Sequence, residues 1–363
     1  MELFTILLLL LSAGFITAVY NLFTAPVIRQ VKYSGNYQKV SVLIPARNES
    51  SNIEQCIRCV SDQTFSNIEI LILDDYSEDD TYSKALKLSE QDGRVKIFKG
   101  KSAPSGWKGK SWACRQLSEL SEGSYLLFID ADVRLNPAAV ESALAEAVFS
   151  DTDLLSVFPE QIMKTFGEKI TVQILNWLML SFLPVKKVFS SRNTKFAAAN
   201  GQFMFFKRTA YFESGGHELV SDKIVEDIEL AKSFKSKNYM VKLMLSKGIA
   251  SCRMYCNLKE SIAGFTKNFY PGSSMTPFVF VIILMISLFT YLSPVLLIFA
   301  DQKYLYLLSV MIIQSVIVSH LSSQNMIINI FLLPVQIIMM CYIGLRSLIL
   351  FNSGKVYWKN RKL

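Results

Sequence analysis

The stretch LLFIDADVRL, Leu126 to Leu135, decides how this chain is read. An apolar run of Leu, Phe and Ile ends abruptly in two carboxylates, Asp130 and Asp132, one residue apart. A strand leaving the core into a solvated turn accounts for such acids. A strand delivering them to a metal ion does so equally. The pair alone does not separate the two readings, so the flanking sequence has to.

Upstream, short apolar runs alternate with segments of helical period. Val40 to Ile44 (VSVLI), Ile68 to Leu73 (IEILIL), Val95 to Phe98 and Tyr125 to Ile129 read as strands. Asn52 to Ser61, Thr81 to Gln91 and Lys110 to Ser121 read as helices between them. The alternation predicts an α/β domain with a parallel sheet and right-handed crossovers. In such sheets ligands bind beyond the carboxyl ends of the strands. Three of those ends carry polar signatures: PARNE (Pro45 to Glu49), DDYSEDD (Asp74 to Asp80) and DAD (Asp130 to Asp132). One would be a turn. Three at corresponding positions predict a single cleft.

The two ends of the chain are different in kind. Leu3 to Phe23 is apolar and uncharged, long enough to span a bilayer. It opens with Met-Glu rather than a basic start, which favours an anchor over a cleaved signal peptide. Phe278 to Phe299, Tyr304 to Leu321 and Met326 to Phe351 are further apolar stretches. Hydrophobic residues make up 51% of the chain, and mean hydropathy is +0.30. The excess lies at the ends, so an integral membrane protein is expected. Arg29, Lys32 and Lys39 follow the first span and place the next domain in the cytoplasm by the positive-inside bias. The basic tail KVYWKNRKL asks for the same side, which requires an even number of crossings against three visible stretches. Either Tyr304 to Leu321 does not fully cross, or the last stretch is re-entrant, or the tail breaks the rule.

The net charge of +8 fits Lys and Arg beside anionic lipid. The basic residues form no single strip, so no nucleic-acid partner is expected. Lys164 to Val188 reads as either an interfacial or a core helix. Met254, Tyr255, Leu258, Ile262, Phe265 and Phe269 repeat at three or four residues, which suits a helix on the membrane surface. The expected organisation is an anchor (1–24), a catalytic domain (37–250), an amphipathic interfacial segment (251–277), transmembrane helices (278–351) and a basic tail (352–363). Cys56 and Cys59 have CxxC spacing, and Cys252 and Cys256 sit four apart. There is no Gly-bearing knuckle and only two histidines, so reduced, mostly buried thiols are expected rather than zinc ligands.

Several carboxylates meeting in one cleft repel unless a cation or hydrogen-bond donors balance them. Mg²⁺ or Mn²⁺ shared with a diphosphate fits, because such ions complete their shells with phosphate and water. The dinucleotide pattern GxGxxG and the P-loop pattern are both absent. In SGWKGKSWAC, Ser105 to Cys114, Lys108 and Lys110 stand at a helix start, either near phosphates or in a solvated loop. In DKIVEDIELAKSF, Asp222 to Phe234, the acids Glu226, Asp227 and Glu229 either complement the helix dipole or include a general base. His217, in SGGHE, is a second candidate base or a hydrogen-bonded turn residue.

Together, PARNE, LDDYSEDDT, IDADV, NGQFMFFKR, SGGHE and VEDIELA resemble the family-2 glycosyltransferases with a GT-A, Rossmann-like fold, from about Val40 to Leu245. GKSWAC, GGHE, RMY, the GFTKN stretch and the YWK-R tail resemble, more narrowly, the membrane-bound members linked to carotenoid and hopanoid pathways. The resemblance implies that Pro45, Arg47, Glu49 and Asp75 line a nucleotide pocket. It implies that Asp130 and Asp132 bind the divalent ion and the donor diphosphate, with Lys110 near the phosphates. Asp132 would be the metal ligand, and Asp130 a ligand or a contact to ribose. Asp227 would be the catalytic base, and Asn200, Gly201 and Glu226 would border the acceptor. The Q-x-x-R-W box of processive polysaccharide synthases is missing, with Arg253 the only stand-in.

The implied activity is inverting transfer of a hexose from a nucleotide-sugar, UDP-linked first, to a carotenoid-like or other isoprenoid lipid. The setting would be the inner membrane of a bacterial-type cell, crossed several times, with the catalytic domain in the cytoplasm. Polyprenyl phosphate, diacylglycerol and a polysaccharide are the other acceptors. A catalytically silent, sugar-nucleotide-binding membrane partner is the alternative from outside enzymology, and intact Asp130, Asp132 and Asp227 weigh against it. A nucleotidyltransferase would need an N-terminal glycine-rich, Arg-bearing loop that the chain lacks.

Overall fold

The computed structural model describes residues 2–33, 35, 38–358 and 361–362. Tyr37, the expected start of the catalytic domain, and Lys359, Asn360 and Leu363 of the tail lie outside the described residues. The chain divides into two compact units. One comprises Pro26–Glu160 and Lys187–Arg253; the other comprises Met1–Ala25, Gln161–Lys186 and Met254–Leu363.

The first unit is built on strands β1 (Val27–Ile28), β2 (Val40–Ala46), β3 (Ile68–Asp74), β4 (Val95–Lys99), β5 (Tyr125–Ile129), β6 (Val133–Leu135), β7 (Leu154–Phe158), β8 (Glu160–Gln161), β9 (Phe203–Lys207), β10 (Val241–Ser246) and β11 (Ala250–Cys252). Eight of them form one sheet in the order β1-β10-β7-β9-β5-β2-β3-β4. All seven residues of β3 are buried, as the near-continuous apolar run of a central parallel strand requires. Pro45 is tolerated inside β2 because the ladder to β5 ends at Leu43 opposite Phe128, before a missing N–H would matter there. The helix Ile53–Ser61 buries Ile53, Cys56, Ile57 and Val60, a single stripe of helical spacing.

The fully parallel sheet expected from the alternating pattern is corrected in one place. β9 runs antiparallel to both β5 and β7, so the sheet is mixed. After Ile129 the helix Ala139–Phe149 leads to β7, which runs in the same direction as β5, and it is β9 that enters the sheet from the opposite end. Phe203, the first residue of β9, therefore pairs with Ile129, the last residue of β5. This register places the residues before β9 at the same edge as the acids after β5. Below them, β6 is clamped by β11, with Cys252 opposite Val133.

In the second unit, four helices are long and apolar enough to cross a membrane: Glu2–Thr24, Pro277–Leu297, Tyr304–Leu321 and Met326–Asn352. Met326–Asn352 continues through Pro334 as one helix of 27 residues. Two buried amides of this unit are fully engaged, as apolar surroundings favour. Asn21 donates through Nδ2 to the carbonyls of Leu180 and Leu183, both at 2.8 Å, and accepts from Val185 N at 2.9 Å. Gln314 donates to Ser181 Oγ at 2.9 Å and accepts from the Tyr291 hydroxyl at 3.0 Å. The segment Lys164 to Val188 is not one helix. It breaks into Phe166–Thr171, Gln173–Phe182 and Lys186–Ser190, with Ile170, Ile174, Trp177 and Leu180 buried. The amphipathic helix runs over Leu258–Ser273, capped by Asn257, so Met254 and Tyr255 precede it rather than extend its stripe.

Gly123 fixes the entry into β5. Its N–H donates to Ser41 Oγ at 2.8 Å, and an added Cβ would fall 2.6 Å from Ser41 N and 2.8 Å from Lys39 O. Those are backbone atoms of the neighbouring strand, so the sheet itself would have to shift. Gly123→Ala is expected to destabilise the unit by about 2 kcal/mol, read as a lower midpoint in chemical denaturation of the detergent-solubilised chain.

Candidate active site

The carboxyl ends of β2, β3 and β5, with the segment leading into β9 and the start of helix Glu226–Ser236, bring the expected residues into two linked clusters. The first is the β2–β3 corner. Arg47 donates from Nη1 to the carbonyls of Asp75 (2.8 Å) and Tyr76 (2.9 Å), and from Nη2 to Glu78 Oε1 (3.2 Å). Asp75 N donates to Ala46 O at 2.8 Å. Glu49 accepts from Asn52 Nδ2 at 2.9 Å, and its N–H donates to Thr81 Oγ1 at 2.7 Å. Asn48 and Tyr76 hold left-handed backbone angles, φ 49° and 57°, which non-glycine residues adopt only when neighbours fix them. The Arg47 contacts and the bond from Asn48 N to Ser77 Oγ supply that fixing. Pro45 lies inside β2, two residues before Arg47.

The second cluster centres on Lys110. Its ammonium lies 2.8 Å from Asp130 Oδ1 and 2.9 Å from Glu226 Oε1. Burial lowers the ammonium's proton affinity, but the two carboxylates outweigh it, and its pKa stands well above the ordinary lysine value. Asp227 is held by two backbone donors, Gly201 N to Oδ2 and Ile228 N to Oδ1, both at 2.8 Å. Burial first, and the Glu226 charge second, push its pKa up to about 6. A Cβ on Gly201 would lie 3.2 Å from Lys110 Nζ, 3.4 Å from Asp227 Oδ2 and 3.5 Å from Glu226 Oε1. The missing side chain leaves open the point on which these three groups converge. Asn200 is tied to β7, donating its N–H to Ser156 Oγ at 2.8 Å, and its Oδ1 accepts from Gln202 N at 2.9 Å.

Asp132 is the least compensated acid. Its Oδ1 is buried and accepts no hydrogen bond. Burial, then the charges of Asp130 and Glu49, push its pKa up to about 7. Asp74 likewise keeps Oδ1 buried without a partner, while Oδ2 accepts from Ser77 N at 3.2 Å. Among the described residues no group of three His, Cys, Asp or Glu side chains is arranged to hold a metal ion. Two acids, Asp132 with its orphaned Oδ1 and Asp130 two residues before it, are the side chains on hand, a donor set that suits an ion taking most of its shell from a ligand's phosphates and water. The orphaned oxygen and the surplus of negative charge fit such a divalent cation.

His217 is buried and 2.8 Å from the Tyr211 hydroxyl through Nδ1, with its ring 4.9 Å from that of Phe128. Burial lowers its pKa to about 3, so it is neutral and belongs to the core. The sequence did not point to the thiols. Cys56 Sγ lies 3.9 Å from Asp130 O, and Cys252, opposite Val133 on β11, accepts from Gln202 Nε2 at 3.0 Å. All six cysteines are free, and Cys56, Cys114, Cys252 and Cys341 are buried.

Residues 41–213 match the model of the family described as glycosyl transferase family 2. The 4,4'-diaponeurosporenoate glycosyltransferases of Staphylococcus haemolyticus (strain JCSC1435) and Staphylococcus aureus (strain MRSA252) are 26% and 27% identical over 244 residues. Each match covers 66% of this chain and 63% of the relative, so the chain spans less than two thirds of the relatives it matches. The mannosyltransferase PcManGT from Pyrobaculum calidifontis, solved with GDP-Man and Mn²⁺, superimposes with a TM-score of 0.52 at 14% identity. That alignment covers 95% of this chain and 97% of the other. These likenesses bear out the family-2 resemblance and the GT-A type of sheet.

Removing the shared cation leaves Asp130 and Glu226 facing each other. Lys110→Met is expected to cost about 2 kcal/mol, between the values for exposed and buried pairs because the Lys110 side chain is partly exposed while its ammonium is packed between two acids. In a double-mutant cycle with Glu226→Gln, the two losses should be less than additive, as measured by denaturation.

Proposed function

We propose that this chain is a membrane-bound, inverting glycosyltransferase moving a sugar from a nucleotide-sugar to a lipid acceptor. The convergence of Asp130, Glu226 and Lys110 beside Asp227, over the open position at Gly201, carries the reading. The donor's nucleoside would lie along the β2–β3 corner, near Arg47, Glu49 and Asp75. Its diphosphate would approach Lys110 and the two acids after β5. The family-2 match over residues 41–213 supports the transferase chemistry. The four apolar helices and the name of the staphylococcal relatives support a carotenoid-like or other isoprenoid acceptor and a multi-pass chain. The basic residues after the first span support a cytoplasmic catalytic domain.

Asp132, with Asp130, would hold Mg²⁺ or Mn²⁺. Bound there, the ion would supply positive charge against the leaving diphosphate. The chain's own groups do the rest. Lys110 places an ammonium beside the phosphates, a preorganised charge that needs no rearrangement as the bond breaks. Asp227, fixed by Gly201 N and Ile228 N, takes the acceptor's proton. The acceptor oxygen attacks the anomeric carbon in line, the C–O bond to the diphosphate breaks, and its electron pair leaves with the nucleoside diphosphate. Configuration at the anomeric carbon inverts.

The test is a panel of UDP- and GDP-sugars offered with Mn²⁺ to membranes carrying the chain, followed by mass spectrometry of extracted lipids. A hexose increment on one lipid class is expected, with release of nucleoside diphosphate. Asp227→Asn and Asp132→Asn should each lower the rate by at least about a hundredfold. Mass gained only by soluble glycans would remove the lipid acceptor, and no nucleotide release would leave a binding partner instead.

The rate should also report Asp227. A base with a pKa of about 6 is protonated, and inactive, at lower pH, so kcat/KM should fall as pH drops through about 6. Glu226 raises that pKa, so Glu226→Gln should move the acidic limb to lower pH.

A further inference from the structure

Among Asp, Glu, Lys and Arg, the helices Pro277–Leu297, Tyr304–Leu321 and Met326–Asn352 carry a single residue, Arg346. A charge on an apolar helix is costly and usually turns toward the helices packed around it. Arg346 does not. It is exposed, while its neighbour Ser347 is buried. Its Nη1 donates to the Tyr342 hydroxyl at 3.3 Å, one turn back along the same face. Among the described residues Nε and Nη2 donate to nothing, and no carboxylate pairs with the guanidinium. That leaves the edge of the fork that grips two oxygens at once.

Two measures fix the level of this arginine in a bilayer. The helix has 27 residues and is about 40 Å long, against about 30 Å of hydrocarbon, so about 5 Å emerges at each end. Arg346 stands six residues before Asn352, about 9 Å from that end, so its backbone lies just inside the boundary. Independently, the amphipathic helix Leu258–Ser273 reaches the same turn. Tyr270 N donates to Ser347 Oγ at 2.9 Å, and its ring lies 5.4 Å from that of Phe351. A helix of that kind lies among lipid headgroups. Inward from Arg346, the residues Phe331, Val335, Ile338 and Tyr342 are exposed at intervals of three or four, an apolar stripe on one face.

We propose that Arg346, steadied by Tyr342, binds the phosphate of an anionic glycerophospholipid whose acyl chains lie along the stripe from Tyr342 to Phe331. Charge selects the occupant. A guanidinium without an acid beside lipid needs an anion, and at this level of a bilayer the anion is a lipid phosphate. A choline or ethanolamine headgroup would bring its own cation against the arginine, so a lipid with net negative charge fits better. Tyr342 keeps the side chain turned back along the helix, where an arginine left alone would reach outward to water.

This inference rests on the membrane-bound reading proposed above, and the two fail separately. Recovery of the chain in the soluble fraction, rather than in carbonate-washed membranes, would remove both. For the site itself, the full chain in detergent is titrated with dioleoylphosphatidylglycerol or with dioleoylphosphatidylcholine, and the lipid-bound fraction is read by native mass spectrometry. The wild type should bind the phosphatidylglycerol at least about fivefold more tightly. Arg346→Gln should bring the two lipids to within about twofold of each other. Arg346→Lys keeps the charge without the fork and should retain only part of the preference. Tyr342→Phe should weaken phosphatidylglycerol binding less than Arg346→Gln does. Inorganic phosphate, which has no acyl chains to lay on the stripe, should not displace the lipid. Equal binding of both lipids by the wild type overturns the inference, as does an unchanged preference in Arg346→Gln. Displacement by inorganic phosphate overturns the lipid as the occupant.

Discussion

One ammonium ties the site together. Lys110 touches Asp130, which ends the strand side of the cleft, and Glu226, which opens the helix that also carries Asp227. At these separations the gross attraction is several kcal/mol for an effective dielectric of about 20, and desolvation takes back part of it. What survives is geometric. The pair of contacts keeps the helix start against the sheet edge and sets the distance between Asp130 and Asp227. Lysine suits the role better than arginine would. A compact charge on a flexible stem can give up one carboxylate for a phosphate without moving the backbone, whereas a guanidinium fork is committed to its planar partners.

The rest of the site follows from how little else is neutralised. Glu49, Asp130 and Glu226 crowd Asp132 and Asp227 with like charge, Lys110 bridges Asp130 and Glu226, and Asp132 and Asp227 are held far above ordinary carboxylate pKa values. Such an arrangement works against stability and persists where chemistry uses it. The orphaned Oδ1 of Asp132 and the doubly held Asp227 illustrate two solutions. One acid is left wanting a cation, the other is pinned by backbone donors and left wanting a proton.

Much of this was legible in the sequence, for identifiable reasons. The strands up to Ile129 were readable because each is a short buried run bounded by polar residues, and the acids stand at their ends. Tyr304–Leu321 was readable because apolar length alone defines it. The antiparallel course of β9 was not, since FMFFK looks the same in either direction and only pairing partners decide it. Lys110 was singled out from its helix start, but its role as a bridge was hidden because Asp130 and Glu226 are remote in sequence. The thiols were hidden for a different reason. Their spacing suggested metal binding or pairing between cysteines, whereas Cys56 lies against the Asp130 carbonyl and Cys252 stands opposite Val133, each brought to the acid loop by a different element.

The reversed strand has a further consequence. Because β9 enters from the edge where its neighbours finish, the chain that leads from Lys187 into it brings Gly201 against Asp227 before it is committed to the sheet. Its length can change without shifting the pairing of Ile129 with Phe203. A lineage could therefore exchange that segment for another and reshape the ground beside Asp227, while the half of the sheet that carries Arg47 and Asp75 is inherited untouched.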